Sequence, residues 1–125
     1  MTRKKWRSRC LSNPEIMFSK ALTNAKNRSG KRGIPFALTK EYLLDLFQKQ
    51  NGRCFYSGLE LNIVKSKIEK THDPFKMTLD CVIPDLGYVE GNVVWCAYCV
   101  NALKLEMSQQ DMLDVCKKIV DNLNK

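Results

Sequence analysis

The chain has 125 residues, 44% of them hydrophobic and 27% charged. That balance excludes wholesale disorder and fits one domain with a modest core. Its net charge is +8; no run reaches the ~18 apolar residues of a membrane span, and Met1-Thr2-Arg3-Lys4-Lys5-Trp6 leads into no signal-peptide apolar stretch. The expectation is a soluble, cytoplasmic chain with no membrane partner.

Residues 1–11 read as a basic tail. Ser12-Asn13-Pro14-Glu15 is a helix start, with Asn13 as N-cap, Pro14 in the first turn and Glu15 at the positive dipole end. Ile16, Phe18, Ala21, Leu22 and Ala25 give the apolar spacing of a helix to about Asn27, which Ser29-Gly30-Lys31-Arg32-Gly33 and Pro35 end. Thr39 caps a second helix over 40–50, closed by Gly52. Cys54-Phe55-Tyr56 and Leu59 to Val64 read as short strands about Ser57-Gly58. Residues 65–76 read as a charged loop, Met77 to Ile83 as a strand, and Val93-Val94-Trp95 as another. A helix is predicted over 97–105. Ser108 then starts a last helix whose Met112, Leu113, Cys116, Ile119, Val120 and Leu123 form a core stripe.

The charge is uneven. Residues 1–33 hold ten basic residues and one acid, whereas residues 34–125 hold eleven basic and twelve acidic. Such a gradient predicts a polyanion partner with salt-dependent affinity, nucleic acid above all. A protein–protein adaptor is the reading it opposes. The division expected is a basic arm and helix at 1–33 that binds DNA backbone, then a domain at 34–125. Among the six cysteines, only Cys96-Ala97-Tyr98-Cys99 has zinc-knuckle spacing. The matching knuckle, Cys54-Phe55-Tyr56-Ser57, lacks its second thiol, so structural zinc is possible but not favoured.

One constellation carries more specific chemistry. Asp80 lies on a strand, and Asn101 in the first turns of the helix after the hairpin, so the two can meet. One carboxylate and one amide oxygen suit Mg²⁺, which binds through few protein ligands and keeps places for water and phosphate. Lys104, one turn after Asn101, is expected to neutralise that phosphate.

Several motifs follow in order: Ile34-Pro35-Phe36-Ala37-Leu38-Thr39, then Gly52-Arg53-Cys54-Phe55-Tyr56-Ser57-Gly58, Thr78-Leu79-Asp80, Gly87-Tyr88-Val89-Glu90-Gly91-Asn92-Val93, and Asn101 with Lys104. With them, residues 34 to about 123 resemble the bacteriophage-type HNH endonucleases of the ββα-metal (His-Me finger) class. The resemblance implies an α+β fold: a ββα-metal core with two N-terminal helices and a C-terminal helix that closes its hydrophobic side. It implies a DNA endonuclease or nickase hydrolysing phosphodiesters with one Mg²⁺ or Mn²⁺, as a monomer or homodimer, in the host cytoplasm if phage-encoded. The family's metal ligands fall on Asp80 and Asn101, and the Asn that fixes the hairpin loop falls on Asn92. Arg3, Lys4, Lys5, Arg7, Arg9, Arg28, Lys31, Arg32 and Lys104 are the expected phosphate contacts. The residue after the first Asp is normally the catalytic His, in some branches an Arg; here the position is Cys81. His72 and Tyr56, Tyr88 or Tyr98 are the other groups considered as base. The alternative is an HNH-derived DNA-binding module without catalysis: a repressor, architectural or competitor protein.

Overall fold

A computed structural model describes residues 14–63 and 73–125. The tail with Arg3, Lys4, Lys5, Arg7 and Arg9, the cap at Asn13, and the segment with His72 lie outside the described residues.

The first helix, α1, spans Pro14–Arg32. It is longer than the Ser-Gly signal suggests, because Ser29 turns its hydroxyl back onto the Lys26 carbonyl (2.7 Å) and is buried within the helix. The stop comes at Gly33, whose φ of +65° is left-handed, and Ile34 N–H closes the end on Ser29 O at 3.1 Å. Strand β1 (Phe36–Ala37) follows. Helix α2 (Lys40–Lys49) starts where Thr39 Oγ1 accepts from Tyr42 N–H at 3.1 Å.

The segment expected as two strands around Ser57-Gly58 is a tight loop. Cys54 N–H reaches Leu59 O (2.8 Å) and Gly58 N–H reaches Cys54 O (2.9 Å), and the strand pairing among the described residues of this segment is isolated bridges at Arg53–Glu60 and Asn62–Lys76. The main hairpin pairs β2 (Met77–Cys81) with β4 (Val93–Ala97), antiparallel, with Asp80 opposite Val94. Between them, a 3₁₀ turn (Pro84–Leu86) leads to β3 (Tyr88–Val89), which lies parallel to β1. Gly87, at φ +81°, passes so close to Pro35 that a Cβ there would run into its backbone. Helix α3 (Tyr98–Lys104) turns back across the hairpin, and α4 (Gln109–Leu123) ends the chain, capped where Ser108 Oγ accepts from Asp111 N–H.

The core centres on Phe18, Phe47 and Trp95, one ring each from α1, α2 and β4, packed edge to face with centroids 5.5–5.8 Å apart. Trp95 is held further by its indole N–H on Leu43 O (2.9 Å) and by two backbone bonds to the Gln50 amide. Phe18 and Ala25 are buried in this cluster, so α1 is integral to the core.

The last helix corrects the expectation of a closing element. Of its apolar stripe only Met112 is buried and Cys116 half-buried, whereas Leu113, Ile119, Val120 and Leu123 are 45–75% exposed. The aromatic cluster is already covered by α1 and α2, so α4 docks through its first turns alone. Among the described residues no helix is long and apolar enough to cross a membrane.

Candidate active site

Side chains two apart on a strand share a face. Thr78 and Asp80 therefore look the same way from β2, and α3 covers that face. Asn101 Nδ2 donates to Thr78 Oγ1 (3.2 Å) and, at longer range, to Leu79 O (3.5 Å). One turn on, Lys104 reaches Asp80.

Asp80 is only 7% exposed, and two donors converge on one of its oxygens. Tyr56 donates its hydroxyl to Oδ2 at 2.6 Å, and Lys104 Nζ lies 3.3 Å from the same atom. Burial, then the Asp80 hydrogen bond, pushes the Tyr56 hydroxyl well above its ordinary pKa, so it remains a donor. Lys104 was expected to offer its charge to phosphate at the surface. Instead it is fully buried, with its ammonium also donating to Cys81 O at 3.2 Å. A bare lysine inside a hairpin would be severely desolvated, and only the Asp80 pairing makes that position tenable. This removes Lys104 from the surface contacts.

The arrangement leaves two oxygens open. Asp80 Oδ1 and Asn101 Oδ1 accept no hydrogen bond from any described residue, because the donors gather on Oδ2 and the Asn101 amide turns its N–H groups inward. Both residues line a cavity of about 140 Å³, whose walls also include Arg28, Arg32, Cys81 and Tyr88. Arg28 sits over the Tyr88 ring (5.7 Å to its centroid), and Arg32 pairs with exposed Glu106 at 3.2 Å. Lys31 is exposed beside them. The extra length of α1 is what carries Arg32 to this wall.

Two hard oxygens with no hydrogen-bond partner among the described residues, beside such a cavity, are a donor set that would suit a Mg²⁺ or Mn²⁺ keeping most of its coordination for other ligands. Cys81, next to Asp80 on β2, is a poor proton acceptor: burial above all, then the Asp80 charge, pushes its thiol up to about 11, against opposing pulls from Arg32, Arg28 and Lys104. Burial likewise raises the Tyr88 hydroxyl.

Asn92 stands apart from the cavity chemistry and shapes the loop. Its Nδ2 donates to Gly87 O (2.7 Å) and Ile83 O (2.9 Å), and its Oδ1 accepts from Ile83 N–H (3.0 Å). The knuckle cysteines are free thiols, and no three of His, Cys, Asp or Glu converge on a metal position among the described residues. Cys96 lies against Thr78 Oγ1 at 3.4 Å and Cys54 Sγ accepts from Ser57 N–H at 3.4 Å.

Sequence reasoning brought Asp80 and Asn101 together, but it missed Tyr56 as the partner of Asp80 and did not single out Arg28 and Arg32 from the other basic residues. Tyr56 lies 24 residues before Asp80, beyond any helical or strand spacing that would betray the pair. No protein-family model, curated protein or solved structure matches the chain.

Proposed function

We propose that the protein is a metal-dependent DNA endonuclease or nickase of the HNH type, acting in the cytoplasm, with β2, β4 and α3 as its ββα-metal unit. The observation that carries this reading is the pair of open oxygens on Asp80 and Asn101, facing a cavity that also holds Arg28 and Arg32. Those two residues would hold one Mg²⁺ or Mn²⁺, whose contribution is to stabilise charge on the phosphate and the leaving oxygen. Arg28 and Arg32 bind the phosphodiester oxygens and fix its approach. Tyr56 and Lys104 hold the Asp80 carboxylate turned with one oxygen outward. Asn92 holds the loop that shapes the cavity floor.

A second reading keeps the DNA site and drops the hydrolysis, and Cys81 favours it. A thiol pushed up to about 11 is almost wholly protonated at neutral pH and does not take a proton from water. Plasmid nicking in Mg²⁺ or Mn²⁺ separates the two. The expected result is nicking that is lost in both Asp80→Asn and Asn101→Ala; survival in both would eliminate this site. If the wild type is inert and Cys81→His gains cleavage, the binding module is the correct reading.

A further inference from the structure

The cavity beside Asp80 is more positive than negative, an awkward setting for a divalent cation on its own. Among the described residues Asp80 is the single carboxylate on its wall, and Lys104 already faces it at 3.3 Å. Arg28 and Arg32 add two further charges, of which exposed Glu106 balances the second. With Asp80 and Glu106 against Lys104, Arg28 and Arg32, the group carries a formal charge of +1 before any ligand enters. Coulomb repulsion in a partly buried site opposes the entry of a dication under these conditions, whereas an anion is drawn in. Among the described residues the cavity has two open side-chain oxygens, on Asp80 and Asn101, too few to hold Mg²⁺ without help from water and phosphate.

We infer that the cavity binds a nucleic-acid phosphate first, and that the divalent ion joins only in a ternary complex, shared between that phosphate and the open oxygens of Asp80 and Asn101. This inference rests on the nuclease reading of the site and adds an order of binding to it. By linkage, phosphate raises metal affinity and metal raises phosphate affinity by the same factor.

The test uses the full chain and a short DNA duplex. Duplex binding is followed by fluorescence anisotropy in EDTA, and Mn²⁺ binding by loss of the free-ion EPR signal, corrected for ion held by the duplex alone. The duplex is expected to bind without metal, and Mn²⁺ to bind the complex at least about tenfold more tightly than the free protein. Arg28→Gln supplies a signature that misfolding does not mimic: Mn²⁺ affinity of the free protein rises several-fold while duplex affinity in EDTA falls. Equal Mn²⁺ affinity with and without duplex overturns the order, as does a duplex that binds only with metal, or an Arg28→Gln variant in which both affinities fall. Those results leave the nuclease reading standing. Absence of nicking with the affinity ratio intact removes the nuclease reading and keeps the ordered site.

Discussion

Removal of the Lys104 ammonium probes the buried pair most directly. In Lys104→Ala, Asp80 keeps the Tyr56 hydroxyl but loses the cation 3.3 Å away, and Cys81 O loses a donor at 3.2 Å. Because both partners are almost fully buried, a one-sided deletion leaves an uncompensated charge, which costs about 3–5 kcal/mol. A domain's whole stability is about 5–15 kcal/mol. With an unfolding entropy of about 2.1 cal/mol/K per residue, a loss of about 4 kcal/mol lowers Tm by about 15 °C. Urea denaturation of wild type, Lys104→Ala, Lys104→Met and the double variant Asp80→Asn/Lys104→Met measures this. The double variant is expected to recover much of the Lys104→Met loss, because it removes both charges together. A Lys104→Ala cost below about 1 kcal/mol would refute the reasoning, since it would mean that the ammonium is effectively solvated.

Asn92→Ala removes three hydrogen bonds to the loop carbonyls and amide of Ile83 and Gly87 and is expected to cost about 2–3 kcal/mol by chemical denaturation. At alkaline pH, burial holds Cys81 and Cys96 protonated to about 11 and about 12, whereas an unfolded thiol titrates near ~8.5. The fold therefore retains protons that the unfolded chain has released; stability is intact below about pH 8.5 and falls as pH rises towards those values, as a pH series of urea midpoints will record. Leu123 is 75% exposed, so Leu123→Ser is expected to change stability by no more than about 0.5 kcal/mol, although the sequence pattern marks it as core.

The hairpin and its following helix were legible because their signals are local. Thr39 and Ser108 cap where a hydroxyl meets a free amide, and the alternation in Met77–Cys81 fixes which side chains share a face. The stripe on α4 was legible as a face, but periodicity says nothing about what covers that face, and here most of it meets solvent. Lys104 shows the same limit at one residue. Its spacing from Asn101 puts both on one side of α3, yet whether that side looks outward or down onto Asp80 depends on how the helix folds back. The end of α1 misled for another reason: Ser29 and Gly30 are ordinary stop signals, overridden because Ser29 satisfies its hydroxyl within the helix and buries itself. Two more residues of helix past Gly30 bring Arg32 to the cavity.

The open carboxylate oxygen weighs between the two functional readings. A module that only gripped DNA would do best with cations on its cavity wall, since a carboxylate there repels phosphate and needs a buried lysine and a tyrosine to hold it in place. Asp80 has both supports, yet its remaining oxygen has no partner among the described residues. Facing the cavity, that oxygen is left accessible to a ligand instead of being locked into the fold as Oδ2 is. That oxygen is accounted for if something positive arrives with the phosphate, and it is what the metal reading requires and the grip-only reading leaves idle. Mn²⁺ affinity of the duplex complex in Asp80→Asn, compared with wild type, isolates this point. The expected loss is about ten- to a hundredfold, and an unchanged affinity would return Asp80 to a role in folding alone.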